Sequence, residues 1–132
     1  NRIYGCRIGT DWNNTAGLGL YIGVYLSNGH YTDIGGRGSA ERNVISGNFF
    51  GIQIEVNPVY GTRIRGNYIG VDSTGAVPLA NTYGIHCQTA QYAFIGGDLG
   101  QGEGNVISGN DMFGVLLYGD CVGNTVAGNL IG

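Results

Sequence analysis

Asn43-Val44-Ile45-Ser46-Gly47-Asn48 recurs unchanged as Asn105-Val106-Ile107-Ser108-Gly109-Asn110, 62 residues later. Ile34-Gly35-Gly36 returns as Ile95-Gly96-Gly97, and Arg2-Ile3-Tyr4-Gly5 as Arg63-Ile64-Arg65-Gly66, each after 61 residues. Three matches in one register define a super-repeat of about 62 residues. Self-similarity at a fixed period is the mark of a repeat architecture.

Half of that period is also present. Ile3, Ile34, Ile64, Ile95 and Val126 follow one another at intervals of 31, 30, 31 and 31 residues, each in a short β-like stretch. A second column holds Ile8, Ile45, Ile69, Ile107 and Ile131. A third is a Gly–apolar–x–apolar pattern that begins at Gly23, Gly51, Gly84 and Gly114. Gly and Asn mark the corners, where both tolerate a left-handed backbone. Three short strands and three corners in about 31 residues describe one coil of a parallel β-helix. Coils stack about 4.8 Å apart and bury an Ile/Val interior. A coil of about 21 residues also divides 62, but the first column keeps 31 to within one residue and matches like strands to like.

The coils alternate. Coils one and three carry a long loop after the second strand, at 10–21 and 71–83. Coils two and four carry extra residues between the first and second strands, at 35–43 and 96–105. Insertions in solenoids map to loops, which often carry binding.

Composition agrees with this reading and excludes others. Of 132 residues, 27 are Gly, 13 are Asn, 13 are Ile and 2 are Pro. Such a chain is neither collagen nor disordered, and Gly and Asn are poor helix formers. Charged residues are 11%, against about 25% in ordinary domains. All six basic residues are Arg, and the net charge of −3 offers no basic footprint for nucleic acid and no polybasic membrane anchor. No apolar run approaches the roughly 18 residues of a membrane-spanning helix.

The strings NVISGN, GNYIGVDSTG and FIGGDLGQGEGN resemble repeats of right-handed parallel β-helix domains of the pectate-lyase-like superfold. Such repeats occur in large secreted and surface proteins of bacteria and archaea. Gly66-Asn67-Tyr68-Ile69-Gly70-Val71-Asp72-Ser73-Thr74-Gly75 follows the GN-x-IG-T-D-x-TG pattern, with Val71 in place of Thr. The first copy, Gly5 to Asn14, keeps Thr10-Asp11 and loses the later Thr-Gly. The resemblance covers essentially the whole chain and implies an extracellular or cell-surface location. It does not select a function, because the fold class includes polysaccharide lyases and hydrolases, adhesins and structural spikes.

Pectin-degrading β-helices use clustered Asp with a basic residue, and this chain has no Asp-Asp pair and no Lys. His30 lies in half of a G-H-G motif and reads as a turn histidine. His86 is placed at an outward strand position, in a stack with Tyr25, Gln53 and Leu116, and is expected on a solvated face. Asp11 and Asp72 occupy equivalent loop starts and are expected to cap local N–H groups. Asp98 and Glu103 share a Gly-rich loop with oxygen donors of the kind Ca²⁺ takes. The sister loop has Arg37 where this one has Asp98, though Glu41 matches Glu103, so no calcium site is assigned. Corner residues Asn43, Asn48, Asn67, Asn105, Asn110 and Asn129 are expected to stack into amide ladders. Nine Tyr and Trp12 fall in different columns and give no continuous sugar platform. Asn13-Asn14-Thr15 is a lone glycosylation sequon.

Three cysteines form no metal motif and no closed disulfide set. Cys87 is expected in the core, and Cys6 replaces a corner Asn. Cys121 is placed in a loop, and it and Cys6 are each either free or in an intermolecular disulfide. No residue is assigned to catalysis, a cofactor or a metal.

Residues 124–132 repeat the register of residues 1–9, so the chain starts and stops at the same phase of the coil. No polar cap is visible, and uncapped coils invite pairing. The sequence is therefore expected to form one β-helix segment, 1–132, joined to neighbouring coils or to copies of itself. The expected role is structural: stalk, adhesin shaft or filament subunit. The alternatives are a fragment of a polysaccharide lyase or hydrolase, and a module that binds cell-surface glycans through the alternating loops.

Overall fold

A computed structural model describes residues 1–132. Coil one contains β1 (Arg2–Ile3), β2 (Arg7–Ile8) and β3 (Leu20–Leu26). Coil two contains β4 (Asp33–Gly35), β5 (Val44–Ile45), β6 (Asn48–Ile54) and β7 (Val59–Tyr60). Coil three contains β8 (Arg63–Arg65), β9 (Tyr68–Ile69), β10 (Tyr83–Cys87) and β11 (Ala90–Gln91). Coil four contains β12 (Phe94–Gly96), β13 (Val106–Ile107) and β14 (Phe113–Leu117), and a further coil begins with β15 (Thr125–Ala127) and β16 (Leu130–Ile131).

Every strand pairs in parallel with its equivalent in the next coil, which makes the molecule a parallel β-solenoid of about four turns. The first sheet runs β1-β4-β8-β12-β15 and the second β2-β5-β9-β13-β16. The third runs β3-β6-β10-β14. Ile3, Ile34, Ile64, Ile95 and Val126 are direct register partners, which fixes the coil at 31 residues rather than 21. The other two Ile/Val columns are likewise in register. Beyond the three expected strands, β7 and β11 pair at the corner that leads back to the first sheet.

The interior is a stack of isoleucines. Ile34, Ile45, Ile52, Ile54, Ile64, Ile69, Ile85, Ile95 and Ile107 are fully buried, and Cys87 lies among them. Full burial of one such side chain contributes roughly 1.5–3 kcal/mol. A coil of three or four short strands cannot enclose these groups alone, so each level is stable only through its neighbours.

Glycine heads each third-sheet pattern for a steric reason. A Cβ on Gly51 or Gly84 would lie 2.6 Å from the carbonyl oxygen of the next glycine in the column and 3.0 Å from an Asn amide nitrogen. Only glycine leaves room there for the amide ladder beside it.

The loops alternate as the spacing predicts. Antiparallel bridges Thr10–Gly17 and Val71–Pro78 close the loops of coils one and three. Coils two and four instead carry 3-10 turns at Ser39–Glu41 and Leu99–Gln101.

Candidate functional site

The polar interior forms first from asparagine. Oδ1 of Asn67 accepts from the backbone N–H and Nδ2 of Asn43, at 3.3 and 2.9 Å. Asn67 donates in the same way to Asn105, and Asn105 to Asn129. Each Nδ2 also reaches back to a strand carbonyl of the preceding coil, Asn67 to Ile34 and Asn105 to Ile64. Cys6 occupies the first rung of this ladder, where its N–H donates to Asn43 Oδ1. A second ladder joins Asn48, Asn81 and Asn110. The expected ladders therefore exist, with two refinements. Asn67 and Asn129 align with Asn43 and Asn105 rather than with Asn48 and Asn110, and Asn81 is a rung that the corner strings did not reveal.

Aromatic side chains form a second axial system over the third sheet. Phe50, Tyr83 and Phe113 are register partners, with rings stacked at 5.1 and 5.9 Å. Tyr21 stacks on Phe49 beside them, 5.2 Å between centroids and 5° between planes. Tyr83 is the one tyrosine in this register, so the array is mostly phenylalanine and the tyrosines as a set form no continuous column. The residue before each column glycine is aromatic in coils two, three and four, and that position carried the signal. Because these rings stack along the axis, they cover one another's faces.

His86 does not lie on a solvated face. Its strand position is outward, but Phe50, Tyr83 and Tyr118 close over it at 4.7, 5.5 and 5.1 Å, leaving it 8% exposed. Burial lowers its pKa below the usual imidazole value, against an opposing pull from Glu55. Nδ1 has no hydrogen-bond partner. Burial likewise pushes the Tyr118 hydroxyl up.

The acidic side chains hold loops and coils together. Asp11 accepts from the Thr15 and Ala16 N–H groups and the Thr15 hydroxyl. Asp72 accepts from the Thr74 hydroxyl and from three backbone N–H groups. The Thr15 N–H is the main cause lowering the Asp11 pKa, and the Thr74 hydroxyl that of Asp72. Asp98 caps the 3-10 turn by accepting from Gly100 N–H. Glu103 Oε1 meets Arg37 Nε at 2.8 Å and Arg65 Nη1 at 3.0 Å, while Oε2 accepts from Asp98 N–H. Arg37 above all, then the Asp98 N–H, holds the Glu103 carboxyl down to about 2. Glu41 plays the matching part in coil two, accepting from Arg37 N–H and pairing with Arg2 at 2.9 Å. Asp98 thus serves its own loop, whereas Glu103 ties that loop to Arg37 and Arg65 of earlier coils, and no three His, Cys, Asp or Glu side chains converge to hold a metal ion.

His30 sits in a corner turn, where Nδ1 accepts from Tyr60 N–H at 3.2 Å. Cys6, Cys87 and Cys121 are all free thiols; Cys121 packs against the core from its loop, and Sγ donates to the Cys87 carbonyl at 3.3 Å. Burial raises the pKa of Cys87, which keeps its thiol protonated and unreactive. Two shallow clefts mark the surface. The larger, about 380 Å³, lies between β2 and the 35–43 loop, beside Cys6, Arg7 and Arg42. Both arginines are engaged: Arg7 donates to the Trp12 carbonyl, and Arg42 lies 4.1 Å over the Tyr68 ring.

Comparison with models of protein families, with curated proteins and with solved structures finds no match. The fold and its side-chain arrays define the chain as a parallel β-solenoid.

Proposed function

We propose that the chain is a structural segment of an extracellular or cell-surface right-handed parallel β-helix of the secreted-repeat type. It serves as a stalk, adhesin shaft or filament subunit and carries out no catalysis of its own. The observation that carries this reading is the direction of its interactions. The Asn ladders, the isoleucine columns and the aromatic stack all run along the solenoid axis. The ion pairs Arg2–Glu41, Arg63–Asp33 and Arg37–Glu103 also bridge coils. Six of the nine carboxylates, Asp11, Asp33, Glu41, Asp72, Asp98 and Glu103, are engaged in loop hydrogen bonds or ion pairs.

Axial interactions imply axial partners. At the last rung, Leu130 and Ile131 are 58% and 54% exposed. Further coils, or a second copy of this chain, would cover them with the strands and side-chain columns already used inside. Sedimentation velocity across a broad concentration range tests this. Association that grows with concentration, and that Ile131→Arg abolishes, is the expected result. A folded chain that stays a monodisperse monomer contradicts the reading.

A further inference from the structure

Tyr31, Gly61, Tyr92 and Gly123 form one column at the corner between the third and first sheets, and all four take a left-handed backbone, with φ of 51°, 64°, 53° and 67°. Hydrogen bonds from Tyr31 N–H to the Tyr60 carbonyl, Gly61 N–H to Gln91 and Tyr92 N–H to Val122 hold them in register. Glycine meets this demand without strain in coils two and four, whereas tyrosine does not. A bulky residue kept in a strained backbone invites a functional explanation.

The rings have a defined seat. A Cβ on Gly61 would lie 2.7 Å from Tyr31 Cδ1 and 2.9 Å from Cε1, and one on Gly123 would lie 2.6 Å from both atoms of Tyr92. Each glycine therefore makes room for the edge of a tyrosine ring from the coil before it. Tyr31 remains 76% exposed and Tyr92 65%, so a face of each ring stays open to solvent. This separates them from the stacked rings over the third sheet. Two coils set the pair about 9.6 Å apart along the axis. Beside them runs a second column, His30, Tyr60 and Gln91, which offers hydrogen-bonding groups and no carboxylate, lysine or arginine.

We propose that this corner binds a neutral, extended β-1,4-linked polysaccharide lying parallel to the solenoid axis. Alternate sugar rings stack on Tyr31 and Tyr92, and the sugar between them faces Tyr60 and Gln91. The two-coil interval matches the disaccharide repeat of such a chain, in which every second ring presents the same face. A coiled α-1,4-linked chain does not keep that alignment.

Calorimetric titration with cellohexaose, and with maltohexaose for comparison, tests the assignment. The chain is expected to bind cellohexaose and to bind maltohexaose at least several-fold more weakly. A Tyr31→Gly/Tyr92→Gly double variant is expected to keep its circular dichroism and melting temperature, because coils two and four already build this corner with glycine. It loses about tenfold or more in affinity. Tyr31→Phe/Tyr92→Phe retains most of it. No binding of cellohexaose, equal binding of maltohexaose, or unchanged affinity in the folded glycine variant overturns the proposal.

Discussion

Nδ2 of Asn67 donates to Oδ1 of Asn105 at 3.0 Å, one coil away, and also to the Ile34 carbonyl at 2.9 Å, one coil back. One buried amide thus ties three successive coils. Asn67→Ala strands the Asn43 and Asn105 amides and the Ile34 carbonyl in the interior, where an unmatched polar group is costly. The expected loss is about 3 kcal/mol in urea unfolding. Asn129→Ala, at the exposed end of the ladder, is expected to cost about 1 kcal/mol.

Gly84 tests the steric basis of the third-sheet pattern. Its added Cβ would stand 2.6 Å from the Gly114 carbonyl oxygen and 3.0 Å from Asn110 Nδ2. Neither can yield without opening a ladder. Gly84→Ala is expected to destabilise the fold by about 2 kcal/mol in the same unfolding experiment.

Glu103 makes stability depend on acid. Its carboxyl is held from 4.5 down to about 2 by Arg37, the Asp98 N–H and Arg65. A depressed folded-state pKa means that the unfolded chain binds the proton more readily, so this contribution is complete above pH 4.5 and is lost as pH falls toward 2. Melting temperatures of the wild type and Glu103→Gln should differ most at neutral pH and converge through that window.

His86 acts in a higher window. Burial lowers its pKa below 6.5, so the folded state favours the neutral ring. Stability tied to His86 is complete above pH 6.5 and falls as pH drops below it. Leucine fills the same column position in the next coil, at Leu116. His86→Leu removes an unpartnered buried nitrogen and is expected to stabilise by about 1 kcal/mol. Its melting temperature should also lose the wild type's decline between neutral and mildly acidic pH.

The architecture was legible in the sequence because inward residues at a fixed spacing set it, one per strand in the first two sheets and two per strand in the third. Ile3, Ile34, Ile64, Ile95 and Val126 keep their spacing whatever the loops do. The asparagine ladders were legible only in part. Gly66-Asn67 precedes a second-sheet strand, whereas Gly47-Asn48 precedes a third-sheet strand, so the same dipeptide stands at different corners. Asn81 follows a long loop and has no preceding glycine to mark it. Side-chain covering was not legible at His86, because two of the three rings that close over it, Phe50 and Tyr118, belong to the coils on either side. The Tyr31–Tyr92 pair lay in plain view, each three residues before the Ile of an Ile-Gly-Gly string. What identified it was backbone conformation, which the sequence pattern does not display.

Axial continuation of the coils is the central claim, and electron microscopy of the concentrated chain tests it most directly. The account predicts rods of constant width, with lengths in multiples of one four-coil unit, and their disappearance in Ile131→Arg. Isolated single units at every concentration, or sheets formed by side-by-side contact, would contradict it.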